Sequence, residues 1–197
     1  YDLITVNVYF VGLTALSQTM TPLVLPLLVQ RFAGEAAQGR LYGNLRLWGL
    51  MTAVLVQAAA GMLSDRYRGR WGRRRPFILA GTLLDLLCIV GIAYAATLEG
   101  MSGYRLLFAV FILLMTATNI AHGPQQGLIP DLVPPEQRGL FSGGKALMEV
   151  PVPLMLVAFT IGPLVGRGRL NAALLALGGI LLGTMALTML VRERPLS

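Results

Sequence analysis

Long apolar runs, separated by short polar breaks, occupy almost the whole chain. Six of them reach the roughly 20 apolar residues that a helix needs to cross a bilayer. They lie at about 3–29, 45–63, 76–97, 105–130, 142–166 and 170–191. The pattern predicts an all-α integral membrane domain over residues 1–197, with six transmembrane helices. Its short connections make successive helices antiparallel neighbours. The first run is too long for a signal peptide and has no basic stretch before it. The chain opens with Tyr1 directly at a membrane helix, as expected of a fragment or domain whose initiating segment lies elsewhere.

Composition sharpens this picture. Hydrophobic residues make up 55% of the chain and charged residues only 13%, against about 25% charged in an ordinary soluble domain. The formal net charge is +7. A soluble nucleic-acid binder would spread lysines and arginines over an exposed face. Here Lys145 is the only lysine, and the arginines sit between apolar runs. The basicity therefore reads as membrane topology, with lipid as partner and no nucleic acid. Cys88 is the only cysteine, so it forms no internal disulfide and no metal site of its own.

Six arginines crowd into fourteen residues at "SDRYRGRWGRRRPF", 64–77. Positively charged loops stay in the cytoplasm. Placing the first end inside puts Arg66, Arg68, Arg70, Arg73, Arg74, Arg75, Arg138, Lys145, Arg192 and Arg194 on the inner side. The outer side then receives Arg31, Arg40, Arg46, Arg105, Arg167 and Arg169. This bias predicts a multi-pass protein of the plasma (inner) membrane with both termini cytoplasmic. Topology alone does not explain the residue order. Asp65 falls at the C-terminal, negative end of its own helix, where a carboxylate is disfavoured unless a cation comes close. Arg66 and Arg73 are near in sequence, and Asp131 lies at the same membrane level. Pro76 stands where a first-turn proline opens the third helix.

In these residues the chain resembles the major facilitator superfamily. The pattern Gly-x-x-x-Asp-Arg-x-Gly-Arg-Arg joins helices two and three of that fold. Gly61, Asp65 and Arg66 match its first part, and Gly72, Arg73 and Arg74 its second, with "YRGRW" inserted between them. The longer ending "RWGRRRPF", with "LVQAAAGMLSDR" and "NIAHGPQQGLIPDL", is similar to the glycoside–pentoside–hexuronide:cation symporters and the sucrose:proton symporters. The resemblance covers about 45–144. It implies twelve helices in two six-helix halves around a central substrate site, of which this chain supplies the N-terminal half and lacks the C-terminal one. It also implies that Gly61, Asp65, Arg66, Gly72, Arg73, Arg74 and Asp131 form a cytoplasmic charge latch that loosens as the halves rock.

Candidate substrate and coupling residues come from polar positions inside the helices. Asn7, Thr14, Gln18 and Thr21 fall within a sector of about 60° at 100° per residue. Pro22 and Pro26 follow and remove backbone donors. Thr116, Asn119, Gly123 and Gln126 share a stripe on helix four, with His122 at its margin. Ser142, Lys145, Glu149 and Thr160 share one on helix five. Such stripes line a cavity or bond helix to helix. Charged residues inside a membrane are costly and mark a bundle interior or water. Asp85 lies nine residues past Pro76, about 13 Å deep at 1.5 Å per residue. It is either a coupling acid or a neutral acid bonded to a neighbouring helix, and in the resembling family helix three is peripheral. Lys145 and Glu149 are one turn apart and can pair. Glu149 either takes up a proton or cation or completes a local ion pair.

The chain also departs from that family. Many proton-coupled members carry an arginine in helix four, a turn before a Gln-Gly pair; here Asn119 stands there, followed by His122 and Gly123. The sucrose symporters carry an aspartate a turn earlier, where this chain has Met115 or Thr116. No cofactor is expected, and H+ or Na+ both remain open as coupling ion. The leading reading is half of a secondary transporter moving a sugar or glycoside by alternating access. "GPLVG", 162–166, resembles the Gly-Pro pattern of drug:proton antiporters, which keeps a drug or metabolite exporter as the alternative. A non-transporting scaffold is the third class. One histidine, one cysteine and scattered acids supply no enzymatic constellation.

Overall fold

A computed structural model describes residues 3–67, 69 and 72–190. Arg68, Arg70, Arg192 and Arg194, counted above as topogenic, and Val191 at the end of the sixth run lie outside the described residues. Every regular element among the described residues is helical. Among the described residues six helices are long and apolar enough to cross a membrane: α1 (Leu3–Ala33), α2 (Glu35–Arg66), α3 (Arg75–Ala95), α4 (Gly100–Leu132), α5 (Pro135–Gly166) and α6 (Leu170–Thr188).

The helices extend beyond the apolar runs where the flanking residues are good helix formers. α2 starts ten residues before its run, at "EAAQGRLYGN", whose Ala, Gln, Arg and Leu favour helix. Its 32 residues span about 48 Å, well past a hydrocarbon core of about 30 Å. Only Gly34 separates α1 from α2, and its φ of 74° suits a residue without a Cβ.

Two helices are irregular where proline withholds a donor. α1 widens to a π-turn at Met20–Val24, with Pro22 inside it and Pro26 just beyond. The π-type partner of the Thr21 carbonyl would be the nitrogen of Pro26, which carries no hydrogen. The Tyr42 hydroxyl on α2 donates to that carbonyl instead, at 2.8 Å. α5 breaks at Val150 (φ −121°, ψ −74°) before Pro151 and widens to a second π-turn at Val157–Ile161 before Pro163.

α1 and α4 form the centre. α1 packs against α5 and α6, α4 packs against α2 and α3, and α3 meets α6. The first helix of each three-helix set thus packs on the second and third helices of the other set. Of α1's membrane-length stretch 56% is buried, against 17% for α2 and for α5. The outward faces of α2 and α5 carry exposed Trp48, Val54, Leu55, Leu147, Leu154 and Phe159, suited to lipid or to another helical bundle.

The α1–α3–α4 junction contains a dry polar seam. Tyr9 donates to the Thr82 hydroxyl at 2.5 Å, and Thr82 donates to the Ile78 carbonyl at 2.8 Å. Thr118 of α4 donates to Asp85 Oδ1 at 2.8 Å. Asp85 is wholly buried. Its surroundings are those of an interhelical bond. Gly81 lets α3 approach the α4 backbone: a Cβ there would stand 2.7 Å from the Ala117 carbonyl oxygen.

Candidate functional site

Two charge clusters occupy α4, one at its C-terminal end and one deeper. At the end, a single guanidinium ties three elements together. Arg74, just before α3, donates through Nε to Asp131 Oδ2 of α4 at 2.8 Å. Its Nη1 donates to Ser64 Oγ of α2 at 3.0 Å, and its Nη2 pairs with Asp65 Oδ1 at 2.9 Å. Arg73 reaches the same Asp131 oxygen at 2.5 Å. α2 and α4 are both even-numbered spans, so both end here and bring two negative helix ends beside two carboxylates. A rigid donor fork answers that charge better than a lysine could.

The latch residues take distinct places in this geometry. Asp65, Arg73, Arg74 and Asp131 meet directly. Arg66 is exposed, so the nearby arginine that pairs with Asp65 is Arg74 rather than its sequence neighbour. Gly72 adopts φ 98°, a turn open chiefly to glycine. Gly61 contributes its backbone: a Cβ on Gly123 would come within 3.1 Å of the Gly61 nitrogen and 2.8 Å of the Gln57 carbonyl oxygen. That pair sets the close crossing of α2 and α4. Two partners were not legible beforehand. Ser64 precedes the signature's Asp65 and carries no charge to mark it. Gly127 falls inside the fourth apolar run, and its missing Cβ is the space the Arg74 guanidinium fills.

The deeper cluster joins α1, α4 and α5. Lys145 Nζ donates to Gln126 Oε1 at 2.6 Å and lies 3.6 Å from Glu149 Oε2. It also sits 4.8 Å from the centroid of the Phe10 ring, within range of cation–π attraction. Gln126 donates from its own amide nitrogen to His122 Nε2 at 3.0 Å, which makes that nitrogen the acceptor and places the ring proton on Nδ1. His122 Nε2 lies 4.0 Å from Glu149 Oε1, and the ring meets Phe10 edge-on, centroids 6.0 Å apart. Lys145 and Glu149 side chains remain 22% and 33% exposed, so the cluster is not sealed inside the bundle. His122 precedes Asp131 by nine residues, about 13 Å along the helix.

The remaining polar positions divide between packing and open surface. Asn7 is buried and donates to the carbonyls of Leu3 and Phe141, each at 3.1 Å. Asn119 is nearly buried and donates back to the Met115 carbonyl at 2.7 Å. Thr116 and Thr160 likewise bond one turn back within their own helices. Gln18 is exposed, and Thr21 accepts from Arg46 at 3.2 Å. Gln125, one position from the expected Gln126, is buried and donates to the Val6 carbonyl at 2.8 Å, pinning α4 to α1. Gln125 lies about 100° off the stripe that holds Gln126, and Phe10 is apolar, so a search for polar stripes passes over both.

Known proteins match this arrangement of spans and signature. Residues 39–192 match the family described as MFS/sugar transport protein. The chain is 36% identical over 107 residues to sucrose transport protein SUT4 of Oryza sativa subsp. indica, covering 46% of this chain and 18% of that protein. It is 33% identical over 108 residues to sucrose transport protein SUC3 of Arabidopsis thaliana, covering 47% and 18%. With sucrose transport protein SUT1 of Oryza sativa subsp. japonica the identity is 34% over 102 residues, covering 44% and 19%. The match thus spans under a fifth of the length of each relative. Six membrane-length helices, a charge-linked turn between the second and third, and a family match over most of the chain lead to one conclusion: this multi-pass membrane protein belongs to the MFS/sugar transport protein family.

Proposed function

We propose that these six helices serve as the N-terminal half of a secondary transporter that moves a sugar or glycoside by alternating access. The observation that carries this is the Phe10–His122–Gln126–Lys145–Glu149 cluster. Charged groups inside membrane spans are retained at solute and ion pathways, and this partly exposed cluster offers both donors and acceptors to hydroxyls. The family and the sucrose-transporting relatives support a sugar as solute. A further six-helix half is the partner this reading requires, since transporter sites form between repeats near the midplane. The Arg74 clamp, in this reading, faces the cytoplasm of the plasma (inner) membrane, with both termini on the same side, and holds one of the two conformations.

The test is uptake of radiolabelled sucrose and of aryl glycosides by cells expressing the full-length protein, normalised to the amount in the membrane. Expected is uptake well above vector controls, cut at least tenfold by Glu149→Gln. Absence of sugar uptake, with export of a hydrophobic dye instead, would place the protein with exporters and sink this reading.

A further inference from the structure

Resting on the transporter reading, the deeper cluster also bears on how the solute would be driven. We propose that Lys145 is a tethered cation filling a monovalent-cation site, so that Na+ does not occupy this site in the native protein. The Lys145 nitrogen sits where a free cation would be held. It has a neutral amide oxygen at 2.6 Å, a carboxylate oxygen at 3.6 Å and the face of an aromatic ring 4.8 Å away. Each of these three groups attracts cations, and together they come from three helices, α4, α5 and α1.

The cradle does not depend on the lysine for its shape. Gln126 is held from its other end, because its amide nitrogen donates to His122 Nε2. The carbonyl oxygen therefore stays aimed at the lysine position when the lysine is shortened. Phe10 is fixed by burial, being 1% exposed, and by its edge contact with His122. Glu149 lies one turn from position 145 on the same face of α5, so its carboxylate remains within reach of the vacated space. Among the described residues the charged or titratable groups that meet at this point are Lys145 and Glu149 of α5 and His122 of α4; α1 contributes Phe10. Removing Lys145 thus leaves a net negative pocket with two oxygens in reach and a π-face. The partial exposure of Lys145 and Glu149 admits water to complete the shell of a small ion. With Lys145 present, a second cation in the same place would meet like charge at contact distance and be repelled.

The experiment measures 22Na+ retained by purified full-length protein in detergent, at constant ionic strength in choline chloride. Wild type is expected to hold no more than background. Lys145→Ala is expected to bind saturably, at least fivefold above wild type, and the added change Glu149→Gln is expected to return it to background. If Lys145→Ala fails to purify as a monodisperse species, Lys145→Ser replaces it, with the same expected gain. A folded variant that binds no more than wild type overturns the proposal. So does saturable Na+ binding by wild type that disappears in Glu149→Gln, and this arm needs no lysine variant. Sugar uptake plays no part in the readout. A protein that gains Na+ binding as expected but moves no sugar refutes the transport reading and leaves this one standing; the reverse pattern refutes this one alone.

Discussion

Replacing Arg74 by alanine should disable the turn between α2 and α3 while leaving the six spans inserted. The size of the effect follows from what the guanidinium touches. Its bond to Asp131 is the more sheltered of its two carboxylate contacts, with side chains 8% and 29% exposed. A charged hydrogen bond contributes about 1.5–3 kcal/mol, and partial exposure together with the surviving Arg73 contact brings this to about 1–2 kcal/mol. Ser64 is wholly buried and loses its donor, about 1 kcal/mol. Asp65 is 56% exposed, so its pair adds about 0–1 kcal/mol. The sum is about 2–4 kcal/mol. If the clamp holds in only one of two transporter states, a loss of about 2 kcal/mol shifts their ratio about thirtyfold, at 1.4 kcal/mol per factor of ten. The assay is solute uptake by the full-length protein per unit of protein in the membrane, with thermal unfolding in detergent beside it. Arg66→Ala removes the same charge from an exposed position and should change uptake less than twofold. Equal losses for Arg74→Ala and Arg66→Ala would show that the stretch acts as a topology signal alone and would refute the clamp.

Other consequences follow from the same contacts. Gly127→Ala places a methyl group where the Arg74 guanidinium lies; it should lower uptake severalfold and cost about 1–3 kcal/mol in thermal unfolding, whereas Gly139→Ala, with open space around it, should do neither. Tyr42→Phe strips the donor from the Thr21 carbonyl and should destabilise by about 1–2 kcal/mol; Tyr94→Phe, on an exposed tyrosine, serves as control, and equal melting temperatures for the two would remove the hydroxyl's role. Tyr67→Cys should be shielded from a membrane-impermeant thiol reagent in intact cells and Glu99→Cys should react, with the opposite pattern reversing the orientation. Asp85→Asn keeps the size and the acceptor for Thr118 and should retain at least half of the uptake, while Asp85→Leu, which orphans the Thr118 hydroxyl, should lower thermal stability; abolished uptake in stably folded Asp85→Asn would assign that acid a coupling role instead.

The number of spans and their class were legible in the sequence, because a bilayer demands a long apolar run for every crossing and that demand is local. The signature around Asp65 and Pro76 was legible for a similar reason: a helix end, a first-turn proline and a glycine turn are written within a few residues. Helix ends were read less well. The extension of α2 to Glu35 depends on ordinary helix propensity outside the apolar run, and the break at Val150 divides what the sequence presents as one apolar span. The polar stripes show only which positions share a face, since periodicity reports only angle around one helix. Tertiary packing divided them. It sent Asn7 and Asn119 to backbone carbonyls, left Gln18 exposed, and gathered His122, Gln126, Lys145 and Glu149 around Phe10. It likewise gave Asp65 to Arg74, ten positions from Ser64 in sequence but within bonding reach of both. Which partners meet across helices depends on rotation and depth of whole spans, quantities set by every contact along them at once. A pattern read along one segment contains its face and its length, and the neighbour on that face belongs to the assembled bundle.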